Sequence, residues 1–246
     1  MTNTENKYWK ERSRNKMARN HLRRITMPTT WSTVEKKRVY WVARSNSGAH
    51  PLDKSMPLVL FLREVLKYGD TSREVKQILN HKNVLIDGVR RKDHRYNVGL
   101  MDVVSIPDLK EDFRVSLNKN GRLTLVKIDS KEAKEKVCKI RGKGICKGKT
   151  QLRLSDGRTI LLDKKSDYKT SDSVIISVPD QKISSHLKFE KGALVLLTDG
   201  KRRGVLGTVE EIKGNFVKIK SKDKEFETLK NYCLVVGKGK ASLTVE

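Results

Sequence analysis

Apolar residues recur at helical spacing in one short stretch of this chain and at alternate positions over most of the remainder. Leu58, Phe61, Leu62, Val65 and Leu66 stand at i, i+3, i+4, i+7 and i+8, one face of a helix. Pro57 suits its first turn, and Gly69 its left-handed close. Thr71-Ser72-Arg73-Glu74 then has the S/T-x-x-E form of a capping box, and Val75, Ile78 and Leu79 form the buried stripe of a second helix. After it the pattern turns to strands. Extended runs at 84–86 and from Val89 are joined at Asp87-Gly88, a two-residue hairpin signal, and a further strand at 103–106 ends at Pro107.

From residue 109 onward period two dominates. Phe113, Val115 and Leu117 alternate with Arg114 and Ser116, and Asn118-Lys119-Asn120-Gly121 turns the chain into Leu123, Leu125 and Ile128. A short helical stretch near 130–136 precedes a second hairpin at Ser155-Asp156-Gly157, with more strands at 174–178 and 183–187. The last segment runs from Phe189-Glu190-Lys191-Gly192 through Thr198-Asp199-Gly200, Gly204 and Gly207 to a turn at Lys213-Gly214-Asn215. There Val217 and Ile219 alternate with Lys218 and Lys220. The pattern predicts an α+β multidomain chain with four parts: a basic extension at 1–44, an αα-β domain at 45–108, a central β domain at 109–182 and a last β unit at 183–246.

Charge decides what such a chain is for. It carries 54 Lys and Arg against 29 Asp and Glu, a formal +25. Each of the four parts is net positive, whereas a membrane-surface protein gathers its cations on one amphipathic helix. A polyanion lying along the whole molecule, nucleic acid, is the simplest partner. Only 6% of residues are aromatic, so the rings are expected mainly in the cores. The cations are then expected to meet phosphates of folded, largely helical nucleic acid. Residues 1–44 read as an arm that orders on contact, carrying Arg12, Arg14, Lys16, Arg19, His21, Arg23 and Arg24 among Trp9, Trp31 and Trp41. Arg63, Lys67, Arg73 and Lys76 lie off the apolar stripe and predict a basic face across both helices, extended by Lys82, Arg90, Arg91, Lys92 and Arg95.

Catalytic and metal motifs fail on spacing. Lys147-Gly148-Lys149-Thr150 has the ending of a phosphate loop, but position 143 is Lys where the first glycine must stand, and Gly142 is one place too far. The run 142–148 misses GxGxxG for the same kind of reason and reads as a flexible basic loop in which Lys143, Lys147 and Lys149 touch phosphate. His21, His50, His81, His94 and His186 are dispersed. Cys138, Cys146 and Cys233 form no ligand pair and read as small apolar residues. No cofactor, metal or small-molecule substrate is expected. The longest apolar run, 58–62, is far short of the ~20 residues that cross a bilayer, and no secretory leader is apparent, so a cytoplasmic protein without a membrane partner is expected.

The 57–106 pattern, with Ser72-Arg73 opening the second helix, Ile86-Asp87-Gly88 in the hairpin and Val98-Gly99 before Asp102-Val103, resembles the S4 RNA-binding domain. Residues 189–215 are similar to the KOW motif of SH3-like barrels, which implies that Lys201, Arg202 and Arg203 project from the loop tip. His21-Leu22-Arg23-Arg24, Met27-Pro28, Gly48-Ala49-His50, Gly99-Leu100-Met101-Asp102-Val103 and Val236-Gly237-Lys238-Gly239-Lys240 extend the likeness nearly end to end. The chain thus resembles the small-subunit ribosomal protein S4e family of archaea and eukaryotes, its length leaning archaeal. The resemblance implies a non-catalytic constituent of the small subunit that binds ribosomal RNA beside neighbouring ribosomal proteins. Two rival classes share the same pieces: a translation or transcription factor, and an RNA-modifying enzyme, for which no segment is left to hold a catalytic domain.

Overall fold

The computed structural model describes residues 21–32, 39–162, 167–221 and 224–245. Trp9, Arg12, Arg14, Lys16 and Arg19 lie outside the described residues. The protein is mostly β with few helices. His21–Arg23 (β1) and Trp41–Ala43 (β2) form an antiparallel ribbon, and Ser55–Pro57 (β3) leads into helix α1. The helix begins at Leu58–Leu60 and widens into a π turn, Phe61–Val65. Its left-handed close falls on Lys67, at φ +56°, and Gly69 keeps negative φ. The stop thus stands two places upstream of the glycine.

Helix α2, Ser72–His81, starts from a complete capping box. Thr71 Oγ1 accepts from the Glu74 amide at 3.3 Å, and the Glu74 carboxylate accepts from the amides of Asp70 and Thr71. Those bonds hold the Glu74 carboxyl below its usual pKa. Leu85–Ile86 (β4) and Val89–Arg90 (β5) meet at Asp87 and Gly88, whose φ values of +50° and +74° are those of a type I′ turn. Asn97–Gly99 (β6) pairs with β3. Val103–Ile106 (β7), Glu111–Leu117 (β8) and Leu123–Ile128 (β9) complete a five-stranded sheet in the order β5-β4-β7-β8-β9. That sheet runs across the expected border at 108: β8 and β9 continue the hairpin sheet because Val103 to Ile106 pair with Arg114 to Glu111.

The second sheet, in the order β12-β11-β10-β13-β14, holds Glu135–Cys146 (β10), Lys149–Leu154 (β11), Thr159–Leu162 (β12), Ser173–Ser177 (β13) and Ile183–Leu187 (β14). Residues 142–146, expected as a loop, are regular strand, because Lys143 to Cys146 pair with Leu152 to Lys149. The turn is confined to Lys147-Gly148, both at positive φ. β14 also belongs here and not with the last unit, since it pairs with β13. The third sheet contains Ala193–Leu197 (β15), Leu206–Lys213 (β16), Phe216–Lys220 (β17), Glu225–Leu229 (β18), Cys233–Lys238 (β19) and Lys240–Ala241 (β20), in the order β18-β17-β16-β15-β19-β20.

The extension 1–44 is no free arm over its described part. Met27, Trp31 and Val42 are buried in the same core as Met56, Leu58, Phe61, Val75 and Leu79. Trp31 donates its indole N–H to the Leu52 carbonyl at 3.3 Å, and Leu123 donates its amide to Thr30. A ring of this size contributes several kcal/mol when buried, so the segment is ordered without any partner. Strand β8 also departs from simple alternation. Arg114 and Ser116, the polar positions, are buried because the C-terminal tail crosses them: Arg114 donates to the Thr244 carbonyl at 2.9 Å and to the carbonyls of Glu132 and Glu135, and Ser116 to that of Val245.

The three sheets share a core of their own, where Met101, Val137, Ile175, Leu196, Leu234, Val236, Leu243 and Val245 meet. Beside it lies a buried ionic cluster. Lys136 on β10 is 1% exposed. Its ammonium reaches Asp87 at 2.8 Å, Asp102 at 2.5 Å and Asp156 at 3.3 Å. Arg158 bridges Asp87 and Asp156, and His50 pairs with Asp102 at 3.1 Å. Burial alone would push the Asp102 carboxyl up, but Lys136 and His50 outweigh it and hold it well below the carboxylate range. The Lys136 ammonium is correspondingly held far above an ordinary lysine. Gly99 is required beside it, since any Cβ there would run into the His50 ring.

Replacing Lys136→Met removes the counter-charge shared by three buried carboxylates, leaving Arg158 to Asp87 and Asp156 and His50 to Asp102, and should cost about 3–5 kcal/mol at neutral pH. The deficit should shrink as pH falls toward the carboxylate range, because protonation removes the unpaired charges. Denaturant titrations at several pH values check this. In the same titrations Trp31→Ala should cost about 3–5 kcal/mol.

Candidate nucleic-acid interface

One groove of about 1250 Å³ brings the basic side chains together. The β1–β2 ribbon supplies His21, Trp41 and Arg44, the π turn and its close supply Arg63 and Lys67, and the segment before β6 supplies His94 and Arg95. The groove exists because α1 widens where it does. The π turn closes Leu66 N–H onto the Phe61 carbonyl at 2.9 Å, and Lys67 then turns left-handed, so Arg63 and Lys67 both emerge on this side. His94 titrates below an ordinary histidine, first because it is partly buried and next because Lys76 and Arg95 stand near it, against the opposing pull of Asp93.

Its carboxylates are few. Glu64 accepts from Arg24 at 3.1 Å and from Arg63 at 2.8 Å, and Asp70 also lines the groove. Arg24, anticipated among the nucleic-acid contacts, is therefore an internal residue. It is 6% exposed and its charge is committed to Glu64. Arg63 is half-buried and divided between Glu64 and the Ser72 hydroxyl, which it reaches at 3.1 Å.

The other anticipated residues separate by what holds them. Arg73 and Lys76 are exposed on α2, and Lys92 is exposed after β5. Arg90 donates to the Asn80 carbonyl at 3.1 Å, placing a cation at the C-terminal end of α2, where the helix dipole favours it. Arg91 is half-buried with its guanidinium over the Tyr96 ring, and Lys82 lies 3.8 Å from Asp108. Arg23 is exposed over Tyr40. Lys143, Lys147 and Lys149 cluster about the β10–β11 hairpin end, beside Ile145, which is 83% exposed, and Cys146, whose exposure separates it from the buried Cys138 and Cys233.

In the third unit Lys201 and Arg202 are exposed, Arg202 lying over the Phe226 ring. Arg203 turns back instead. It donates to Thr29 Oγ1 at 2.9 Å and packs over Gly121, while Gly204 sits against the Asn118 carbonyl. Both glycines have positive φ and no room for a Cβ, so this contact docks the third sheet onto the β8–β9 turn. Lys139 adds a second tie by donating to the carbonyls of Lys230, Asn231 and Cys233; burial brings its pKa down to about 8.

Sequence reasoning did not single out Arg44 or Tyr40, and it named Trp41 only as a ring of the arm and His94 only among five dispersed histidines. The run Val39-Tyr40-Trp41-Val42-Ala43 is rich in β-branched and aromatic residues, as a strand is, but its uniformly apolar sequence carries no alternation to tell the exposed face from the buried one. Among the described residues no group of three or more His, Cys, Asp or Glu side chains is arranged to hold a metal ion, and no helix is long and apolar enough to cross a membrane.

Comparison with known proteins bears on what this surface meets. The model of ribosomal family S4e matches residues 109–183, and that of the S4 domain residues 56–104. The small ribosomal subunit protein eS4 of Methanosphaera stadtmanae is 43% identical over 93% of this chain and 96% of its own length. That of Methanocella arvoryzae is 42% identical over 90% and 96%. A crystal structure of the 30S ribosomal protein S4e from Thermoplasma acidophilum superposes with a TM-score of 0.66 at 34% identity, covering 76% of this chain and 96% of that one.

Arg24 and the α2 cations should separate in a stability assay. Arg24→Ala removes charge-assisted bonds to a buried carboxylate and should lower stability by about 1–3 kcal/mol. The double replacement of Arg73 and Lys76 by Ala should move it by no more than about 0.5 kcal/mol.

Proposed function

The chain belongs to ribosomal family S4e, and from that premise we propose that it is a structural constituent of the small ribosomal subunit, bound to ribosomal RNA and in contact with neighbouring ribosomal proteins. The family is one of ribosomal components and not of enzymes. The observation that carries the reading is the groove, in which ribbon, π turn and the segment before β6 direct cations to one side of an S4 domain. Each phosphate seated there releases condensed counterions, so binding draws on the entropy of the salt as well as on contact.

His21, Lys67, Arg95, Arg73 and Lys76 form the central contact in this reading, with Arg63 and Arg23 at its edges. The hairpin end at Lys143, Lys147 and Lys149 makes a second contact, and the arm cations Arg12, Arg14, Lys16 and Arg19 also meet RNA phosphates. Residues 189–215 act as a KOW strand-loop-strand within an SH3-like barrel, presenting Lys201 and Arg202. The chain works on the ribosome, in the cytoplasm.

Affinity for deproteinised small-subunit RNA should fall linearly in log–log form with salt, by about −0.7 to −0.9 per phosphate contacted. The double Arg73→Ala, Lys76→Ala variant should lose about two contacts from that slope. A flat salt response would remove the electrostatic mechanism. Stoichiometric retention on small subunits through a moderate salt wash separates a constituent from a factor, which would wash off.

A further inference from the structure

The β1–β2 ribbon has an inner and an outer face. Leu22 and Val42 pair across the strands and point into the first core, while Arg23 pairs with Trp41 on the outside. Trp41 is 50% exposed and Tyr40 is 55% exposed, among the most solvent-facing rings of the described residues. They are held in a fixed arrangement. The Trp41 ring meets His21 edge-on with centroids 5.3 Å apart and Tyr40 at 4.7 Å with the planes 89° apart, and the Arg23 guanidinium stands 5.5 Å from the Tyr40 centroid.

Half of a tryptophan left in water is apolar surface without a partner, and here it lines the groove that gathers the cations. A protein neighbour suited to this patch would bring apolar side chains into a ring of positive charge. A nucleotide brings a flat π face for the indole and a phosphate on either side for Arg23 and Arg95, so charge complementarity selects it. The supporting rings matter as much as the stacking ring, because His21 and Tyr40 hold the indole plane before anything binds.

We propose that Trp41, braced by His21 and Tyr40, is a stacking platform for an unpaired base of RNA, so that the chain grips a single-stranded nucleotide at this point as well as the phosphates of folded helices. This rests on the RNA-binding reading above and deepens it. Paired bases cannot use such a platform, since their faces are already stacked.

The test compares full-length protein with its Trp41→Ala and Trp41→Phe variants, using a short oligouridylate and an RNA duplex of equal length at the same salt. Trp41→Ala should weaken oligouridylate binding about tenfold or more, leave duplex binding and the melting temperature unchanged, and abolish the fluorescence quenching that oligouridylate causes. Trp41→Phe should retain most of the affinity. Equal oligouridylate affinity for wild type and Trp41→Ala, with duplex binding intact, would overturn the platform and spare the broader reading. Quenching of Trp41 only in assembled subunits, and never by RNA alone, would assign the face to a protein neighbour and overturn the platform too. Failure of the wild type to bind either RNA would overturn both.

Discussion

The first and second sheets are joined around a lysine that is almost wholly withdrawn from water. An ammonium buried at Lys136 is tolerable only with counter-charges fixed about it, and those counter-charges come from different parts of the chain: Asp87 from the first hairpin turn, Asp102 from the approach to β7, and Asp156 from the turn after β11. Arg158 and His50 complete the balance. Desolvation makes such a cluster a weak source of net stability against an apolar core of the same volume, but a strict condition on geometry, because each partner removed leaves a bare charge in a low-dielectric interior. The first and second sheets can therefore meet in one register only. The adjacent shared core and the tail lying over Arg114 and Ser116 follow from that placement.

Of the residues in the motifs that carry the family likeness, His50, Asp87, Gly99 and Asp102 are internal. Gly48-Ala49-His50, Asp87-Gly88, and Gly99 with Asp102 converge on the Lys136 cluster, with Gly99 leaving space for the His50 ring and its amide donating to Asp102 at 2.8 Å. The three-residue spacing from Gly99 to Asp102 is what lets that amide reach the carboxylate. In the proposed reading RNA contact falls instead to long side chains with little sequence context around them, since phosphate recognition asks for charge at a place and sets few demands on its neighbours.

The positive excess consequently serves two ends. Lys136, Lys139, Arg24, Arg114 and Arg203 are turned inward to carboxylates, carbonyls or a hydroxyl and fasten one unit to another. Arg73, Lys76 and Lys67 stay at the surface, where in the proposed reading a polyanion relieves their mutual repulsion. A chain with this balance is built to be most comfortable when its outer cations are covered.

Local order was legible in the residues themselves. The capping box at Thr71 and Glu74, the I′ turn at Asp87-Gly88, the β17 alternation and the nucleic-acid character all appear in the sequence because each depends on neighbours within a few positions or on composition. Family membership was legible too, from motifs spread nearly end to end. Tertiary structure alone decided which cations are available. Nothing near Arg24, Lys136 or Arg203 distinguishes them from the other basic residues, since their partners Glu64, Asp87 and Thr29 lie about 40, 50 and 170 positions away. The same holds for where the sheets divide and for Tyr40 and Trp41 facing out while Trp31 faces in. Burial is a property of what else the fold brings to a place, and no local pattern carries that information.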